Sequence, residues 1–188
     1  MKKIFIVHGY DTTPENHWFT WLKHQIEGVG HVCTIVHLDQ PEEPNHATWK
    51  ANLEQQIQPV DRKTIIIAHS LGCIATLDFL STVLQRHNLD SLFLVAGFNK
   101  TLVALPQLDH FIKQSQVDDA LIRLDVSHRF VFFSNNDPYV MAPLSISLGH
   151  LLNAQMVEVK GAGHFMASDG YETFPQLWEK LDALLQLK

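Results

Sequence analysis

The chain has 188 residues, of which 46% are hydrophobic and 18% charged, with a formal net charge of −6. That balance describes one globular domain, 1–188, able to bury roughly two-thirds of its unfolded surface. A negative charge without a basic cluster argues against nucleic acid or an anionic membrane surface as partners. Two cysteines, Cys33 and Cys73, cannot build a disulfide framework, and no apolar run reaches signal-peptide or membrane-spanning length. A soluble cytoplasmic protein is the expectation.

In chain order, the apolar run Lys3–His8 predicts a first strand. Thr12, Thr13 and Pro14 then open a predicted helix over Pro14–Glu27, in which Trp18, Trp21, Leu22 and Ile26 recur at spacings of three and four. A strand over Val32–Leu38, a helix over His46–Gln58, a strand over Thr64–His69 and a helix over Leu71–Arg86 follow. Next come a strand over Ser91–Ala96 and a connector, Gly97–His128. The pattern closes with strands over Arg129–Ser134 and Gln155–Val159 and helices over Pro143–Asn153 and Gly170–Gln186. Near-continuous apolar strands alternating with helices predict an α/β fold. The sheet should be mainly parallel, of about six strands in the order 2-1-3-4-5-6, with helices on both faces. In such a sheet, ligands bind beyond the C-terminal strand ends, where the winding reverses between strands 1 and 3.

The third strand runs Thr64-Ile65-Ile66-Ile67-Ala68-His69 directly into Ser70-Leu71-Gly72-Cys73. A buried strand, a small-x-Ser-x-Gly turn and a helix describe the nucleophile elbow of an α/β-hydrolase, with Ala68 in place of the usual Gly. The elbow holds a serine hydroxyl out of the sheet, where a base can reach it and the next amide can meet an oxyanion. The acid and the base should follow in that order on later loops. The fifth strand leads into Asn135-Asn136-Asp137-Pro138, and the sixth into Gly161-Ala162-Gly163-His164-Phe165. Asp137 would orient the imidazole and His164 would carry the serine proton. Asp137 is preferred to Asp125, which precedes strand 5, and to Asp169, placed at the start of the last helix. Two backbone amides complete the candidate set, Leu71 after the serine and Tyr10 after His8-Gly9 in the loop of strand 1. His8 is expected to hold that loop by side-chain hydrogen bonds, and His69 to face the other side of its strand in a structural role. Candidate substrate contacts are His8, Gly9, Trp18, Tyr139 and Phe165, which would make the pocket mouth partly apolar. The twelve histidines are scattered, with no His-Glu-x-x-His and no Cys-x-x-Cys, so neither a metal nor another cofactor is expected.

His8-Gly9 with His17-Trp18, the run Lys63 to Ser70, Asp137-Pro138-Tyr139 and Gly163-His164-Phe165 carry a wider resemblance over nearly the whole chain. The sequence resembles the small serine hydrolases related to retinoblastoma-binding protein nine and the bacterial YdeN proteins. The resemblance implies a compact α/β-hydrolase without a large cap and a Ser70–Asp137–His164 triad, and it supplies no natural substrate. The connector agrees: Gly97–His128 is about thirty residues, room for one or two short helices at ~1.5 Å rise per residue. Its Phe98, Leu102, Leu105, Phe111 and Ile112 would either roof the pocket or pack their helix onto the sheet.

The expected activity is hydrolysis of small to medium carboxylic esters, with amides and thioesters as further candidates, through an acyl-Ser70 intermediate. The partner is a small-molecule acyl substrate. Two other readings keep the same fold: a non-catalytic protein-binding scaffold, and an acyltransferase in which another nucleophile resolves the acyl-enzyme.

Overall fold

Alternate residues of the central strands go to opposite faces of one sheet, and both sets are apolar. The structure, a computed structural model, describes residues 1–84 and 88–186. Its strands are β1 (Lys3–Val7), β2 (Val32–Val36), β3 (Thr64–His69), β4 (Leu89–Val95), β5 (Val126–Phe133) and β6 (Gln155–Glu158). All five pairings are parallel, in the order β2-β1-β3-β4-β5-β6. The predicted strand order is the observed one. Ile4, Ile6, Ile65, Ile67, Phe93, Val95 and Phe132 point to one face, where α1 (Phe19–Gly28) and α7 (Pro175–Leu185) cover them. Phe5, Val7, Ile66, Ala68, Leu92, Leu94 and Val131 point to the other. There they meet α2 (His46–Gln56), α3 (Leu71–Val83), α4 (Asp109–Gln114), α5 (Asp119–Asp125) and α6 (Ala142–Leu151). A parallel sheet covered in this way needs apolar strands throughout, which is what the sequence provides.

Element ends differ from the sequence reading for local reasons. Helix α1 starts at Phe19 rather than Pro14, because His17 takes φ 55° and Trp18 becomes the N-cap. Strand β2 stops at Val36, since the next amides leave the ladder: His37 donates to Gln56 Oε1 and Asp39 to Asn52 Oδ1. Strands β4 and β5 begin earlier than predicted, paired from Leu89 and Val126 onward. The last helix starts at Pro175, and Asp169 instead ends a short 3₁₀ turn, Ala167–Asp169, capped by Gly170 at φ 91°. The predicted end of the third helix, Arg86, lies outside the described residues.

The connector holds a 3₁₀ turn, Pro106–Leu108, and the short helices α4 and α5, with Asp118 capping α5 through Leu121 N–H. Phe98, Leu102, Phe111 and Ile112 are buried in the core, so they pack the connector down, while Leu105 is left half-buried beside the site. No helix among the described residues is long and apolar enough to cross a membrane. Cys33 and Cys73 are buried free thiols, and burial raises Cys33 to about 12 and pushes Cys73 up as well.

Candidate active site

Ser70 sits where β3, the strand between β1 and β4, turns into α3. Its φ of 54° and ψ of −124° are strained for a residue with a side chain. The turn persists because both ends are fixed. Ser70 N–H donates to Val95 O on β4 at 2.9 Å, and Cys73 N–H donates back to Ser70 O at 2.9 Å. Gly72 is required for the same reason: a Cβ there would lie 2.2 Å from the His8 carbonyl oxygen. The glycine therefore lets α3 pass the end of β1, which sets the elbow against the first loop. Gly9 closes the approach from the other side, where a Cβ would come within 2.9 Å of Ser70 Cβ.

The other two candidate residues arrive from the ends of β5 and β6. Ser70 Oγ lies 2.9 Å from His164 Nε2, and His164 Nδ1 lies 2.7 Å from Asp137 Oδ2. Asp137 spends its second oxygen on the backbone, accepting from Tyr139 and Val140 N–H at 2.9 Å each. That fixes the carboxylate, so Nδ1 carries a proton toward Oδ2 and Nε2 is left free to accept from the serine hydroxyl. All three residues are buried, and the Asp137 side chain is 1% accessible.

The loop after β1 is tied by its own side chains. Leu38 N–H donates to His8 Nε2 at 3.2 Å, so the ring proton is on Nδ1 and donates to Gly9 O at 3.0 Å. Burial lowers the His8 pKa, in keeping with that neutral ring. Thr12 Oγ1 accepts from Gly9 N–H at 3.1 Å. Among the described residues, the amides of Tyr10 and Leu71 donate to no protein acceptor. Over Ser70, His69 and His164 opens a cavity of about 160 Å³. Tyr10, Asp11 and Thr12 from the first loop, with Leu105, Tyr139 and Met166, complete its wall. Among the described residues, no group of three His, Cys, Asp or Glu side chains is placed to hold a metal ion.

The serine hydrolase family matches this chain over residues 4–183. The chain belongs to that family. The hydrolase YdeN of Bacillus subtilis (strain 168) is 34% identical over 180 residues, 96% of this chain and 94% of that one. Serine hydrolase RBBP9 of Rattus norvegicus is 25% identical over 158 residues, covering 82% and 81%. The crystal structure of the B. subtilis ydeN gene product matches with a TM-score of 0.93 at 33% identity, over 98% of this chain and 99% of that one. Est1E from Butyrivibrio proteoclasticus shares the fold, with a TM-score of 0.67 at 12% identity over 97% and 90%.

Within this serine hydrolase, the structure corrects four placements read from the sequence. Trp18 and Phe165 are fully buried in the core between the sheet, α1 and α7, with Trp18 Nε1–H donating to Phe165 O at 3.2 Å, and neither lines the cavity. His8 is buried beneath the loop it holds, so it does not contact substrate space. Gly9 backs onto Ser70 and is not part of the cavity wall. Tyr139 does line it, edge-on to His164 with ring centroids 5.1 Å apart. His69 points to the α1 and α7 face, as its place in β3 dictates, but the His164 turn comes down over that face. The two rings lie 4.9 Å apart, and His69 reaches the cavity wall.

Sequence reasoning also missed how the His164 turn is held. Asn135 Oδ1 accepts from Gly161 N–H, Ser134 Oγ from Ala162 N–H and Asn136 Oδ1 from Gly163 N–H, at 2.8, 3.0 and 2.9 Å. Asp169 Oδ2 takes His164 N–H at 2.9 Å and Met166 N–H at 3.1 Å. Four successive amides thus end on side chains. The Asn-Asn dipeptide before Asp137 was the one available signal.

Proposed function

We propose that this serine hydrolase cleaves carboxylic esters of small to medium acyl groups through an acyl-Ser70 intermediate. The observation that carries the reading is the unbroken hydrogen-bonded line from Ser70 Oγ through His164 to Asp137, set on a left-handed elbow. As Ser70 Oγ attacks the substrate carbonyl carbon, its proton passes to His164 Nε2. Asp137 stabilises the imidazolium through Nδ1–H and stays ionised. The carbonyl oxygen becomes an oxyanion, for which the amides of Tyr10 and Leu71, which donate to no protein acceptor among the described residues, are the proposed donors. Collapse of the tetrahedral intermediate breaks the bond to the leaving alkoxide, which takes the proton from Nε2. A water then repeats the sequence on the acyl-serine, with His164 as base, and releases the acid.

The cavity supports the size class. About 160 Å³, walled by Tyr10, Leu105, Tyr139 and Met166, suits a short acyl chain and offers no channel for a polymer. The test is stopped-flow hydrolysis of p-nitrophenyl esters of increasing acyl length. A burst of p-nitrophenol stoichiometric with enzyme, and a decline of kcat/KM toward long acyl chains, are expected. Absence of ester turnover across the series would overturn the reading.

A further inference from the structure

The mechanism leaves two histidines beside the site unused, the buried His69 and the half-buried His17, and their tautomers can be assigned from their partners. His69 Nε2 lies 2.9 Å from the carbonyl oxygen of His164. A carbonyl only accepts, so Nε2 carries the proton and Nδ1 is bare. His17 is the reverse case, because Ala167 N–H donates to its Nδ1 at 3.1 Å. Its own proton is therefore on Nε2. The two remaining nitrogens, a donor on His17 and an acceptor on His69, have no other protein partner among the described residues. They sit on rings 5.8 Å apart and are matched in hydrogen-bonding sense.

These two bonds fall on the first and last residues of the segment 164–167. Inside it, Phe165 O accepts from Trp18 Nε1–H, Phe165 N–H donates to Ala162 O, and Asp169 binds Met166 N–H. The segment that carries the base is thus fixed at both ends, with His17-Trp18 and His69 supplying three of its contacts from the α1 face. We propose that His17 and His69 are positioning residues for the His164 imidazole, each holding one end of its backbone segment, His17 through a bond that only a neutral ring can make.

A proton added to His17 would go to Nδ1 and set two N–H groups against each other. It would also place a positive charge beside His164 at the step where His164 must itself become charged. The fold opposes both events. Burial, then the charge of His164, lowers His17 to about 4, although Asp169 pulls the other way. Burial, then His164 and His17, holds His69 well below the ordinary imidazole range. The titratable groups facing His17 are thus His69, His164 and Asp169, and its remaining ring neighbour is Phe19.

This inference rests on the acyl-Ser70 reading, and its test separates the two. Nitrogen-15 NMR of histidine-labelled, unsubstituted protein should show both rings neutral, with the proton on Nε2, from pH 8 to pH 5. Kinetically, His17→Phe and His69→Phe should each lower kcat by about tenfold with KM changed by less than about twofold, the signature of a misplaced base. His17→Asn, which keeps an acceptor for Ala167 N–H, and His69→Gln, which keeps a donor for His164 O, should recover most of that loss. Either ring titrating near 6.5, or both Phe variants keeping parental kcat, would overturn the pair. If His69→Phe does not fold, the NMR measurement and the His17 variants decide. Fluorophosphonate labelling of the parent enzyme is the control: failure to label Ser70 retires the acyl-Ser70 reading, whereas normal labelling with unaffected variants retires only the positioning pair.

Discussion

The two loops that meet at the site are built on different principles. The Ser70 elbow is held by backbone and by the absence of side chains: Val95 O, the α3 ladder, and glycines 9 and 72. The His164 turn is held almost wholly by side chains, from Ser134, Asn135, Asn136, Asp169, His17, Trp18 and His69. Their places in the sheet explain the contrast. Strand β3 lies inside the sheet, paired on both sides, and can support a strained residue at its end. Strand β6 is a four-residue edge strand paired only with β5, so its loop must be fixed by something other than the sheet. In the proposed mechanism the nucleophile is thus aimed by a rigid turn, whereas the base needs long-range clamps.

That contrast can be broken at several points. Asp137→Asn should leave both loops in place yet cost roughly 10⁴-fold in kcat, because the amide favours the wrong imidazole tautomer. Retained activity there, with loss in Asp169→Asn, would move the acid to Asp169. Gly72→Ala strikes the elbow. With a new Cβ driven onto the His8 carbonyl, denaturant unfolding should show a loss of about 1–3 kcal/mol, and an unchanged midpoint would mean that the approach of α3 to β1 is not fixed. Asp169→Ala strikes the other loop: two amides lose their acceptor, and kcat should fall by about tenfold while Ser70 remains in its strained conformation. A displaced elbow in a crystal structure of that variant would show that the loops are not independent.

The smallest expected effect is on stability against pH. His17 titrates near 4 in the folded chain against an ordinary 6.5, with His8 and His69 shifted the same way. Between those values the unfolded chain binds protons that the folded chain refuses. The stabilisation is therefore complete above about pH 6.5 and is lost as pH falls toward 4. Thermal melts should show Tm declining through that window, with a shallower decline in His17→Asn. A Tm that stays flat from pH 7 to pH 4.5 would contradict the assignment.

The same contrast decides what could be read from the sequence. Strand order and the elbow were legible because their signals are local: four apolar residues, then small-x-Ser-x-Gly. Asp137 and His164 were legible as the right residue types at the right strand ends, which the structure brings into one hydrogen-bonded line. The clamps were not, since Asp169, Asn136 and His17 bind backbone groups with no periodic pattern, His17 from 150 residues away in the chain. Trp18 and Phe165 misled for a related reason. Their sequence neighbours His17 and His164 lie at the site, but their own side chains turn into the core shared by α1 and α7.

The central claim is that Ser70 is the residue acylated in turnover. It is tested most directly by treating the enzyme with a fluorophosphonate and mapping the adduct by peptide mass spectrometry. One adduct per chain is expected, on Ser70, absent in Ser70→Ala together with a fall in kcat of about a million-fold. A stoichiometric adduct on another residue, or full turnover by Ser70→Ala, would contradict it.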